Sequence, residues 1–218
     1  GISQQDVHVR TFPALQVVCE KMWKGENVQH ISYAQFEALC QSTPEAPGVN
    51  LLAKVPRRTV LTDTDKEITL SGTDVMTTSV DEIGYPYAVE FEICPDSIPN
   101  IDAVLFKGPH SEFVTNWQNT GKFAFRRDGY EFVFHAYRLP ESKWTKVRVE
   151  GDVKGTSLFI DGQLQERLEG RIGEVFNAKS QKKDRIWYQE TLIFPLKQLG
   201  DTQMGFKGKM KNVVCIPR

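Results

Sequence analysis

Two stretches of this 218-residue chain set an indole among planar polar side chains: Thr115-Asn116-Trp117-Gln118-Asn119 and Asp184-Arg185-Ile186-Trp187-Tyr188-Gln189. That mixture suits a sugar, whose C–H face stacks on a ring while its hydroxyls pair with amides and carboxylates. Asn116, Trp117, Asn119, Trp187 and Tyr188 are therefore the candidate carbohydrate-binding residues. The plainer reading of each Trp is that it folds back to cap the core. Glu90 and Glu92 flank Phe91 in PYAVEFEI, so a strand there puts both carboxylates on one face about 7 Å apart. Paired acids are the equipment of glycoside hydrolysis, but a solvated outer face accounts for the pair equally simply. His8, His30, His110 and His135 show no HxH or HExxH spacing, and the chain has no GxSxG elbow or P-loop. Asp96, Asp102, Asp128 and Asp152 have the oxygen chemistry of loop calcium ligands, and each equally suits a turn. The sequence thus calls for no cofactor and leaves calcium open.

The elements that must position these residues are legible around Phe123–Glu169. Phe123/Phe125, Tyr130/Phe132/Phe134, Val147/Val149 and Leu158/Ile160 recur every second residue, with charged residues between or beside them such as Arg126, Glu131 and Arg148, the period of half-buried strands. Arg127-Asp128-Gly129 and Ile160-Asp161-Gly162 place Asp-Gly between apolar runs, the chemistry of tight hairpins. Trp144 opens a strand and belongs to the core. Short alternating runs continue from Val49 (RTVLT, EITLS, VMTTS, AVLF, EFVT) without intervening helices, which argues for two packed antiparallel sheets. Residues 170–190 break the period and carry a basic cluster from Lys179 to Arg185, so they read as a long surface loop. The final run, MGFKGKMKNVVCI, reads as a closing strand.

Residues 1–45 differ in kind. Leu15, Val18, Cys19, Met22 and Trp23 share one helical face over Pro13–Trp23, with Thr11 as cap and Pro13 in the first turn. A shorter helix over Ser3–Val9 ends before the proline. A further helix starts at Ser32, where SYAQ is a capping-box pattern, and ends near Cys40. Ser42–Gly48 (STPEAPG) reads as a linker, giving a helical segment over 1–45 and a sandwich over 46–218. Lys plus Arg number 27 against 28 for Asp plus Glu, a net charge of −1, so no global field draws in nucleic acid. The four cysteines, Cys19, Cys40, Cys94 and Cys215, form no CxxC pair and read as mainly buried thiols, with a Cys19–Cys40 bridge left open. No apolar run is long enough to span a bilayer, and no signal-peptide series is present. The start at Gly1 reads as that of an excised piece.

The order FxFRRDGYxFxF, LP, W, VRVEGDVKGTSLFIDG resembles the strand and hairpin series of laminin-G-like and concanavalin-A-like jelly rolls over about residues 50 to 218. The resemblance implies that the last strand returns beside the first. In the N-terminal segment, Arg10-Thr11-Phe12-Pro13-Ala14-Leu15 and Glu20-Lys21-Met22-Trp23 resemble the last barrel helix of glycoside hydrolase family 20, the β-N-acetylhexosaminidases. That helix reads R-x-x-P-R-x-x-x-x-A-E-R-x-W. Here Ala14, Cys19 and Lys21 depart from it. The resemblance implies that the chain is the C-terminal part of a secreted, periplasmic or cell-surface enzyme whose catalytic acids lie upstream. By itself the piece would be inactive. Its partners would be glycans containing N-acetylhexosamine and the parent catalytic barrel, which it would serve as a sugar-binding or buttressing domain. Two other readings stay open: a laminin-G-like protein-interaction module, and a jelly-roll glycosidase acting through Glu90. The family-16 glucanases of this fold carry Glu, Asp and Glu on one strand, and the strand of Glu90 lacks the middle acid.

Overall fold

A computed structural model of the chain describes residues 4–24, 31–42, 50, 53–96, 101–127, 129–152, 154–188 and 193–218. The chain divides into two compact units, Gly1–Leu52 and Ala53–Arg218. The first holds α1 (Gln4–Lys24) and α2 (Tyr33–Ser42). The capping box forms as expected. The Ser32 N–H donates to Gln35 Oε1 at 2.8 Å, and the Gln35 N–H donates to Ser32 Oγ at 3.3 Å. The break expected before Pro13 does not occur: α1 runs through it from Gln4 to Lys24, so Thr11 is not a cap and Pro13 is not in the first turn. Trp23, expected on a buried face, is 93% exposed, and Leu15, Val18 and Met22 are exposed with it. Helical spacing specifies an apolar stripe without supplying the surface that covers it. Cys19 and Cys40 are free thiols, and against the expectation of mainly buried thiols Cys19 is exposed, Cys40 and Cys94 are half-buried, and only Cys215 is buried.

The second unit is built of β1 (Thr59–Val60), β2 (Ile68–Ser71), β3 (Val75–Thr77), β4 (Glu82–Ile83), β5 (Tyr87–Pro95), β6 (Ala103–Lys107), β7 (Ser111–Thr115), β8 (Ala124–Arg127), β9 (Tyr130–Val133), β10 (Thr145–Asp152), β11 (Gly155–Ile160), β12 (Gln163–Glu169), β13 (Arg171–Asn177), β14 (Lys182–Tyr188), β15 (Phe194–Pro195), β16 (Gln198–Gly200) and β17 (Lys207–Pro217). One antiparallel sheet runs β1-β17-β5-β10-β11-β12, with β2 also on β17, and a second runs β3-β16-β6-β7-β8-β9. As the jelly-roll resemblance implies, the last strand lies beside the first, with Thr59 opposite Cys215. The inner faces of both sheets contribute to one apolar core: Phe91, Val147, Val149 and Leu158 from the first sheet, Phe106, Phe113, Phe125 and Leu199 from the second. The Phe91 and Phe106 rings meet edge-on at 5.0 Å across the sheets. This is a mainly β, two-sheet antiparallel jelly-roll sandwich.

The Asp161-Gly162 turn sits where the alternation puts it, while Asp128 of the other Asp-Gly pair lies outside the described residues. Asp161 and Gly162 both take positive φ, 50° and 81°, as a two-residue turn between β11 and β12 requires. At Gly155 the constraint is space: an added Cβ would stand 2.1 Å from the Leu168 carbonyl oxygen in β12. Gly155→Ala is expected to destabilise the fold by about 1–3 kcal/mol, read as a lower urea midpoint. An unchanged midpoint would mean that β12 yields without penalty.

Three readings of this region need correction. Residues 171–188 are a paired hairpin, β13 with β14, with Arg171 opposite Tyr188 and Asn177 opposite Lys182. Their charge conceals a strand pair that alternation does not mark. Trp144 is half-buried, because Thr145, Val147 and Val149 take the inner face and leave Trp144 with the outer set. Its ring there lies 4.7 Å below the Lys211 ammonium. Tyr130 shares the parity of Phe132 and Phe134 but is 60% exposed, since the sandwich ends where β9 begins.

Candidate functional site

The outer face of the second sheet carries two rows of side chains set by strand register. Phe113 and Phe125 point into the core, so Glu112 and Val114 on β7, and Ala124 and Arg126 on β8, point out. On β6 a register shift between Val104 and Phe106 lets Val104 and Lys107 share that outer face. The first row is apolar: Val104 opposite Val114, Val114 opposite Ala124, Ala124 opposite Val133. Trp117 and Val133 pack against Val104, Val114 and Ala124. The second row alternates in sign: Lys107 opposite Glu112, Glu112 opposite Arg126, Arg126 opposite Glu131.

Each charge in this row is tied to its neighbours. Lys107 Nζ lies 3.1 Å from Glu112 Oε1 and 2.7 Å from Asp201 Oδ2. The Asp201 carboxylate holds the Lys107 ammonium above the usual lysine range, against partial burial, with Glu112 assisting. In return the Lys107 hydrogen bond holds Asp201 below the usual carboxylate range, helped by the Gln203 and Met204 N–H groups. Arg126 donates from Nε to Glu131 Oε1 at 3.0 Å and pairs through Nη2 with Asp102. Glu131 also accepts from Trp117 Nε1 at 2.8 Å, so one carboxylate fixes both an indole and a guanidinium. The row forms one wall of a depression of about 680 Å³ whose lining adds Pro109, His110 and Tyr130.

The sequence candidates fall as follows. Asn116 is buried, and its amide closes a turn: Oδ1 accepts from the Gly121 N–H at 2.9 Å, and Nδ2 donates to Asn119 Oδ1 at 3.3 Å. Asn116, Gln118 and Asn119 all take positive φ, which Asn tolerates better than most residues. This turn lays Trp117 over the apolar row, with its ring edge-on to His135 at 6.1 Å. Trp187 and Tyr188 lie on β14, and their side chains fall outside the described residues. Glu90 and Glu92 face outward on the first sheet in ion pairs. Glu90 meets Arg148, while Glu92 meets Lys211 at 3.8 Å and Asn212 Nδ2 at 2.9 Å. Asp102 Oδ1 accepts from the Gln118 N–H at 2.6 Å, and Asp152 pairs with Arg167. Asp128 lies outside the described residues. Among the described residues no group of three or more His, Cys, Asp or Glu side chains gathers as metal ligands, and no helix is long and apolar enough to cross a membrane.

Lys107, Glu112, Arg126, Tyr130 and Glu131 were not singled out as site residues from sequence. The signal of the four charged residues was a charge next to a strand aromatic, Lys107 after Phe106, Glu112 before Phe113, Arg126 after Phe125 and Glu131 before Phe132, which becomes a row only when four strands are in register.

No family model matches the chain, and no curated protein matches it. Solved structures of similar shape include domain 4 of AbnA, an extracellular arabinanase of Geobacillus stearothermophilus, in complex with arabinotriose. It is 13% identical, over 73% of this chain and 82% of that one, with a TM-score of 0.48. The carbohydrate-binding module CBM66 of Bacillus subtilis is 12% identical over 73% and 90%, with a TM-score of 0.34. The β-glucanase of Bacillus licheniformis is 14% identical over 70% and 78%, with a TM-score of 0.37. These are β-sandwich domains of carbohydrate-binding and glycosidase type. Likeness of this extent assigns no ligand to the present chain.

Proposed function

We propose that the sandwich is a non-catalytic carbohydrate-binding module and that glycan docks in the depression walled by Lys107, Glu112, Arg126 and Glu131. The observation that carries this reading is the exposed Tyr130 ring beside a row of charged groups held rigid by one another. A pyranose needs an apolar face to stack on and fixed planar partners for vicinal hydroxyls, and groups held before binding lose little entropy when it binds. Calorimetry against a panel of neutral oligosaccharides tests it. Tyr130→Ala is expected to weaken binding by roughly tenfold or more, as loss of an aromatic anchor does, while the melting temperature stays close to native. Absence of binding across the panel, or equal binding by the variant, would overturn the reading.

We further propose the finer setting that the family-20 resemblance implies. In it, the ligands carry N-acetylhexosamine, the parent is a β-N-acetylhexosaminidase acting outside the cytoplasm, and the helical unit is the end of its barrel. Support comes from the Arg10–Trp23 pattern and from the exposed stripe of Leu15, Val18, Met22 and Trp23 on α1. Tighter binding of chitobiose than of cellobiose favours this setting. An upstream parent sequence without an Asp-Glu pair after a barrel strand would remove it.

A further inference from the structure

The charges around the depression are unequal in a way that bears on the ligand. Lys107 stands between two carboxylates, Glu112 and Asp201, and Arg126 stands between two others, Asp102 and Glu131. Arg127, also at the depression, is buried and already engaged. Four carboxylates therefore enclose the two cations that the row presents. An incoming anion would have to displace a carboxylate from a cation that it already neutralises, and would meet Glu112 and Glu131, the two of the four that line the depression. A hydroxyl faces no such competition, because it donates to a carboxylate and accepts from an N–H without disturbing either pair.

We propose that the depression selects uncharged glycans and rejects uronate, sialylated and sulfated ones, an inference that rests on the carbohydrate reading above. Like charges a few ångströms apart near a protein surface repel strongly enough to change affinity by an order of magnitude or more before screening. Selection should therefore exceed roughly tenfold at low ionic strength and shrink as added salt shortens the Debye length.

The test is calorimetry on the whole 218-residue chain at low ionic strength, with matched pairs. These are N-acetyllactosamine against its sialylated and sulfated forms, and galactan against galacturonan oligomers. The expected result is binding of the neutral member and a loss of roughly tenfold or more for the acidic one. In Glu112→Gln, which removes one carboxylate, the acidic-to-neutral affinity ratio is expected to rise by about fivefold. Preferential binding of the acidic members, or a ratio that Glu112→Gln does not move, would overturn the inference and leave the carbohydrate reading standing. Binding of neither member of any pair would overturn both.

Discussion

Phe113→Ala is expected to destabilise the sandwich by about 3–5 kcal/mol, the range for deleting a buried phenyl ring. Phe113 sits on β7 with no exposed surface. Among the described residues its ring meets Phe125 at 4.8 Å, Phe194 at 5.2 Å, Phe123 at 5.5 Å, and Phe91 and Phe106 at 6.4 Å. Those neighbours come from both sheets and are themselves fully buried, so none can fill the void without leaving a contact elsewhere. The cost should therefore lie toward the upper end of the range. Urea unfolding checks it: the midpoint should fall while the m-value holds, since the surface exposed on unfolding barely changes. Phe176→Ala supplies the contrast, because Phe176 is 60% exposed and its loss should change stability by less than about 0.5 kcal/mol. Equal effects for the two substitutions would show that the aromatic cluster is not what closes the sandwich.

Glu131→Ala is expected to weaken glycan binding by roughly tenfold or more while the fold persists, because surface substitutions away from the core change stability little. Its carboxylate accepts from the Trp117 indole and from Arg126 Nε, so removing it costs the indole N–H its acceptor and leaves Arg126 paired with Asp102 but without its Nε partner. Glu131→Gln keeps one oxygen to accept a hydrogen bond and should recover part of the affinity. Tryptophan emission reports on the indole directly and should shift in the alanine variant. Native-like affinity in Glu131→Ala, with or without a shift in emission, would mean that ligand recognition does not depend on this anchor.

The sandwich was legible where side-chain alternation and turn chemistry agree. Phe123 and Phe125, Val147 and Val149, and Leu158 and Ile160 all take the inner face, and Asp161-Gly162 turns the chain where expected. It was illegible where charge overrides periodicity, as in the β13–β14 hairpin, whose second strand begins Lys182-Lys183-Asp184-Arg185. Large rings misled for a different reason. Trp23 and Trp144 were placed by size and local spacing, yet burial also needs a facing surface, and strand parity assigns Trp144 to the wet side. The charged row was hidden more deeply. Lys107, Glu112, Arg126 and Glu131 come from four strands, and nothing local to any one of them states the register that aligns the others. Trp117 was legible as an indole in a polar turn, but its partner Glu131, fourteen residues away, was not.

The adjacency of β1 and β17 has an evolutionary corollary. A β-sheet domain whose opening and closing segments are hydrogen-bonded neighbours can be spliced into the loop of a host, or shuffled between genes, without prying open its own layers. Modular architecture of that kind lets a recognition surface travel independently of the machinery it serves.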